Sequence, residues 1–159
     1  MRRLRVYLDT SVISFVFADD APDFQRVTFD FFQKNAARYD LYVSEVVLLE
    51  IEDHPDPECQ QRLKAVLSEN RIAILPRDQA HEVRQLASRY VEKGVVPPSK
   101  MEDALHVAYA TFYEMDMLLS WNSKHLANVR KEERFLAVNM EEGYRYPLRV
   151  VSPLVVCYE

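Results

Sequence analysis

Short apolar runs alternate with stretches of helical periodicity along the whole chain, and that alternation restricts the fold to layered α/β arrangements. Residues 4–8, 41–43, 72–75, 117–120 and 149–151 have the length and apolar content of buried strands. Phe24, Val27, Thr28, Phe31 and Phe32 recur at helical spacing behind Pro22-Asp23, which predicts a helix over 22–38. A short apolar helix follows the second strand over 45–51. Cys59, Leu63, Val66 and Leu67 mark another helix face, and Val83, Leu86, Ala87, Tyr90 and Val91 repeat the pattern up to Gly94, a C-cap candidate. Pro97-Pro98 breaks the chain. Ser99-Lys100-Met101-Glu102 then reads as a capping box for a helix carrying Ala104, Leu105, Ala108 and Phe112, and a last helix is expected over 124–141. Strands alternating with helices predict a three-layer α/β/α sandwich around a mostly parallel, roughly five-stranded sheet, in one domain spanning 1–159.

Composition removes several function classes. The 159 residues include two glycines, Gly94 and Gly143, so no glycine-rich phosphate loop, dinucleotide fingerprint or nucleophile elbow is present. Two cysteines, Cys59 and Cys157, are too few for a disulfide framework and are expected as reduced core thiols. Arg2, Arg3 and Arg5 before an apolar stretch imitate a secretory leader, but Asp9, Ser11 and Ser14 interrupt it. No apolar run is long enough to span a bilayer, and a cytoplasmic location is expected. The net charge is −5 and unevenly placed. Residues 40–58 carry seven carboxylates and no Lys or Arg, whereas residues 59–100 carry a net +4.

In an open parallel α/β sheet, ligands bind beyond the carboxyl ends of the strands. Asp9 closes the first strand, Ser44 and Glu45 follow the second, Glu50 lies farther along the next helix, and Ser120, Trp121 and Asn122 follow the fourth. Asp103 falls in the first turn of the helix behind the proline break, where the helix dipole favours a negative charge. Each acid also has a structural reading: Asp9 as a helix cap, Glu50 as half of a buried ion pair, Asp103 as dipole complement. Together they place carboxylates from three segments at one end of one sheet. Such a cluster suits a hard divalent cation, Mg2+ or Mn2+, which needs only one or two direct carboxylates. Zinc is not expected, since His54, His81, His106 and His125 show no zinc-ligand spacing.

Four segments then resemble, in order, the motif blocks of PIN domains: Tyr7-Leu8-Asp9-Thr10-Ser11-Val12-Ile13-Ser14, Leu41-Tyr42-Val43-Ser44-Glu45-Val46-Val47-Leu48-Leu49-Glu50, Asp103-Ala104-Leu105-His106-Val107-Ala108 and Leu119-Ser120-Trp121-Asn122-Ser123-Lys124-His125-Leu126. Among PIN domains, the sequence is most similar to VapC-type toxins of bacterial toxin–antitoxin modules. The resemblance implies an endoribonuclease dependent on Mg2+ or Mn2+, with Asp9, Glu50 and Asp103 as metal-holding catalytic acids and Ser11 as the hydroxyl beside the first. The fourth block often carries Asp where this chain has Asn122, a neutral oxygen in place of one charge. Glu45 falls where the family needs no acid and is expected to support the site from outside or to lie on the surface. Relatives of this kind form homodimers and are held by a small antitoxin.

The leading expectation is therefore hydrolysis of RNA phosphodiesters by metal-activated water, with Lys124, Arg130 and Lys131 as phosphate contacts. The alternative is a PIN module that binds a partner protein or RNA without cutting, for which Asn122 is the hint. A phosphohydrolase or receiver fold with an aspartate after its first strand is a third. It fits less well, because Ser11 stands where a second aspartate is required.

Overall fold

The computed structural model describes residues 2–157. Five parallel strands form the sheet: β1 (Arg5–Leu8), β2 (Asp40–Val43), β3 (Ala73–Ile74), β4 (Met117–Leu119) and β5 (Arg149–Val151). Their order is β3-β2-β1-β4-β5, with every pairing parallel. The chain runs outward from β1 to one edge through β2 and β3, then returns to β1's other side for β4 and β5. The crevice between β1 and β4 is thus the switch point of the sheet, the place where such folds bind ligands.

Side chains alternate across the strands and build a core on each face. Tyr7, Leu118 and Val150 point to one, against α5 (Ala80–Glu92), α6 (Met101–Phe112) and α7 (Val129–Glu141). Val6, Leu8, Leu41, Val43, Met117 and Leu119 point to the other, which includes residues of α1 (Thr10–Ser14), α3 (Glu45–Glu52) and α4 (Pro57–Glu69). Helix α3 straddles the two, giving Val46 to the first core and Val47 and Ile51 to the second. The expected three-layer α/β/α sandwich around a parallel sheet is what the chain forms. Among the described residues, no helix is long and apolar enough to cross a membrane.

Several local expectations need correction. The helix expected over 22–38 is α2 (Pro22–Asp30), continued by a π-turn over Phe31–Asn35 and a 3-10 turn over Ala36–Arg38. The wider turn accompanies a fully buried Phe31 and an Asn35 amide that donates to the Val156 carbonyl. The Ser99 capping box does not form. Pro98–Lys100 makes a 3-10 turn, and α6 starts behind Lys100 with no side-chain cap. Helix α7 begins at Val129 rather than near 124, because polar side chains organise the preceding loop. Asn122 Oδ1 accepts from the His125 amide, Asn128 Nδ2 donates to the Ser123 carbonyl, and Asn128 Oδ1 caps the helix through the Lys131 amide. Cys59 and Cys157 are free and only partly buried, and of the two Cys59 packs against the second core.

At the opposite end of the sheet from the switch-point ligand side, Asp116 ties β1 to β4. Its carboxylate accepts from both Arg2 Nη atoms at 2.7 Å, from the Arg5 amide at 2.8 Å and from the Tyr146 hydroxyl at 2.6 Å. The Arg2 hydrogen bond, with help from Tyr146 and the Arg5 amide, holds this carboxyl well below the usual range despite its burial. A depressed carboxyl stabilises the fold above its unfolded pKa, near about pH 4, and loses that contribution as pH falls through the folded value. Asp116→Ala should therefore cost about 1–3 kcal/mol in urea unfolding at neutral pH. The gap between variant and wild type should narrow as the solution is acidified below about pH 4.

Candidate functional site

The site is assembled from the carboxyl ends of β1 and β4, the second turn of α3 and the first turns of α6. Asp9 follows the fully buried Leu8 and is itself 4% exposed. Its extended backbone makes it the N-cap of α1, accepting from the Val12 amide at 3.4 Å. Oδ1 also accepts from the Ser11 hydroxyl at 2.5 Å, and Oδ2 accepts from the Ser120 hydroxyl at 2.5 Å. Ser11 and Ser120 each accept a backbone amide from the β4 exit loop, from Trp121 and Asn122 respectively, at 2.9 Å. The capping role and the site role of Asp9 are thus the same geometry. Both strand ends at the switch point are fixed through one carboxylate.

Asp103 and Asn122 meet across the crevice, with Asn122 Nδ2 donating to Asp103 Oδ2 at 3.2 Å. Glu50 turns to His106, Oε1 lying 2.8 Å from Nε2. The other ring nitrogen of His106 is 2.7 Å from the Tyr7 hydroxyl, which is in turn 2.7 Å from Ser44 Oγ. His106, Tyr7 and Ser44 are all buried, so this chain of polar groups crosses the core beneath the acids. Glu50, Asp103 and Asn122 line a cleft of about 420 Å³, together with His54, Lys100 and Glu102. A larger cavity, about 610 Å³, lies at the other end of the sheet near Arg3 and Asp40, where parallel folds place no ligand.

Burial pushes the Asp9 carboxyl up, opposed by the charge of His106 and by the two hydroxyls. Burial also raises Asp103, with the charge of Asp9 adding to it and His106 and His125 opposing. Desolvation would lift Glu50 and lower His106, but their mutual hydrogen bond and charge win in both: Glu50 is held down and His106 up. The imidazole is thus the internal counter-charge for three carboxylates. Thr10 Oγ1, buried with no hydrogen-bond partner among the described residues, still lies near enough to Glu50 to help keep it ionised. Among the described residues, no three His, Cys, Asp or Glu side chains gather into a closed metal-binding group. What forms instead is an acid pair that feels its own repulsion, Asp9 and Asp103, with Asp103 on an open cleft beside the Asn122 side chain, whose nitrogen faces Asp103 and whose oxygen accepts from the His125 amide. That donor set fits a hard cation that keeps most of its waters and takes one or two carboxylates. It does not fit an all-protein cage.

The other expected residues divide. Ser11 lies against Asp9 as expected. Glu45 faces away from the cleft, 3.6 Å from Arg77, 4.0 Å from Arg84 and accepting from Tyr109 at 3.3 Å. Lys131 is spent on the Val95 carbonyl. Lys124 and Arg130 are exposed, with no side-chain partner among the described residues. The His106–Tyr7–Ser44 chain was not singled out from the sequence. The available signal was a histidine three residues after Asp103 on an otherwise apolar helix face.

The family model for the PIN domain matches residues 6–132 of this chain, and the chain belongs to that family, whose members are generally metal-dependent nucleases. No curated protein matches it significantly.

The two kinds of acid predict opposite mutational signs when divalent cations are chelated. A raised Asp103 costs stability once pH exceeds its unfolded value, so Asp103→Asn should raise the melting temperature near neutral pH and lose that advantage on acidification. His106→Asn should lower it, because Tyr7 and Glu50 lose their partner. The His106–Glu50 pair contributes fully between about pH 4.5 and 6.5, above the unfolded Glu value and below the unfolded His value. Thermal unfolding across that range in chelator reads both effects.

Proposed function

We propose that this PIN domain, acting as one unit over 1–159, is an endoribonuclease that hydrolyses RNA phosphodiesters using Mg2+ or Mn2+. The observation that carries the reading is the convergence of buried Asp9 and half-buried Asp103 at the switch point, in a family of metal-dependent nucleases. Asp9 and Asp103 would hold the cation, with Glu50 at the cleft wall and Asn122 beside Asp103, its oxygen becoming a neutral ligand only by turning from the His125 amide. A bound cation supplies positive charge for the phosphate oxygens and acidifies water for the attack.

The chain's own residues do the rest. Ser11 and Ser120 fix both oxygens of Asp9, so it does not rotate away when charge builds on the substrate. His106 holds Glu50 by one carboxylate oxygen and aims it at the cleft, where Glu50 can orient a water or take its proton. Lys124 and Arg130 are the cations placed for RNA phosphates. On the resemblance to VapC-type toxins, we read the protein as a cytoplasmic toxin, a homodimer restrained by a small antitoxin.

A second reading, a PIN module that binds without cutting, draws on two observations. Asn122 removes one acid, and the three carboxylates do not close into a group. Cleavage of structured and unstructured RNA, with Mn2+ and with chelator, separates the two. We expect cation-dependent cutting that falls about 100-fold or more in Asp9→Asn and Asp103→Asn, beyond the loss usual for an outer partner of a metal. Cutting that survives chelator, or that both variants retain, contradicts the assignment. Cation excess about 100-fold above Kd should stabilise the wild type by about 2.7 kcal/mol. That is a rise of roughly 5–10 °C for a chain of this size, and it should shrink in either variant.

A further inference from the structure

Beside the acids lies an aromatic group in which Trp121 packs against the second core while Phe15 and Phe24 belong to neither. Phe24 is 47% exposed, Phe15 is partly exposed, and neither belongs to the buried clusters on the two faces of the sheet. The Phe24 ring lies 4.7 Å from the Trp121 ring, and Phe15 lies 6.0 Å from each. Trp121 is half-buried and held in place: its Nε1 donates to Thr28 Oγ1 at 2.8 Å, and the Thr28 hydroxyl donates to the Phe24 carbonyl at 2.6 Å. The indole N–H is therefore already satisfied, and what the group still offers is ring surface.

That surface is wired to the site. The Trp121 amide donates to Ser11 Oγ, whose hydroxyl donates to Asp9, so the aromatic residue is two hydrogen bonds from the buried acid. Its chain neighbours Ser120 and Asn122 bond Asp9 and Asp103. Farther along the same segment, Lys124 and Arg130 stand exposed without partners among the described residues. Aromatic faces interleaved with unpaired cations are the chemistry that binds a nucleic-acid strand whose bases are splayed out. A base held in a duplex has no face to give.

We propose that Phe24 and Trp121, supported by Phe15, form a stacking platform for an unpaired nucleobase next to the phosphate that the acids address. These residues then select strand segments free of pairing. The inference rests on the ribonuclease reading, and its test is separable from it.

Trp121 is the one tryptophan of the chain, so its fluorescence reports the platform directly. Three probes are titrated with Ca2+ in place of Mg2+: a single-stranded oligoadenylate of about eight nucleotides, an abasic strand of equal length, and a duplex. The adenylate should quench Trp121 saturably and bind about tenfold or more tightly than the abasic strand, as expected for stacking one base. The duplex should leave the fluorescence unchanged. Phe24→Leu should bring adenylate binding down to the abasic level, and Phe24→Tyr should restore it; melting curves establish that both variants fold. Equal binding of adenylate and abasic strands, or binding indifferent to Phe24→Leu, overturns the platform. Quenching without cleavage under Mn2+ leaves the platform standing and removes the nuclease reading. Cleavage without quenching does the reverse.

Discussion

A carboxylate buried at the end of the central strand is the constraint on which this structure depends. Asp9 is almost wholly removed from water, and an ionised carboxylate in that position is costly unless hydrogen bonds compensate. The compensation comes from three directions: the α1 amide of Val12, Ser11 in the first turn, and Ser120 from the end of β4. Satisfying Asp9 therefore fixes the angle at which α1 leaves β1 and the path of the β4 exit loop. The same loop delivers Trp121 and Asn122. The architecture around the crevice follows from meeting the requirements of one acid.

The remaining charge is balanced within the protein as far as one imidazole allows. His106 sits among Asp9, Glu50 and Asp103, with Tyr7 and Ser44 behind it, and it favours the ionised form of each acid. Burial still leaves Asp9 and Asp103 raised. The protein thus holds an acid pair that is incompletely compensated at the mouth of a polar cleft. The proposed divalent cation would relieve this, and the proposed chemistry uses the same charge.

Much of this was legible in the chain because it is written locally. Tyr7-Leu8-Asp9-Thr10-Ser11 shows a buried strand ending on an acid and a helix start, and the alternation of strands and helices gives the parallel sheet and its ligand end. The short-range motifs were less dependable. Ser99 and Glu102 have the spacing of a capping box, but two prolines direct the chain into a 3-10 turn first. The family resemblance already separates Glu50 from Glu45, but only packing shows that Glu45 faces Arg77 and Arg84 while Glu50 meets His106. The His106–Tyr7–Ser44 chain joins residues from α6, β1 and the β2 exit, so no window of sequence contains it. The net charge of −5 likewise conceals its arrangement, a carboxylate-rich stretch contributing to the site and exposed cations elsewhere.

The central claim is that a divalent cation binds where Asp9 and Asp103 converge. Mn2+ titration followed by electron paramagnetic resonance measures this without reference to catalysis, because protein-bound Mn2+ loses the sharp signal of the hydrated ion. The account predicts saturable binding by the wild type that is strongly weakened in Asp9→Asn and in Asp103→Asn, and little changed in Glu45→Gln, whose side chain faces the arginines. Mn2+ that stays fully hydrated, or that binds all four proteins alike, contradicts it.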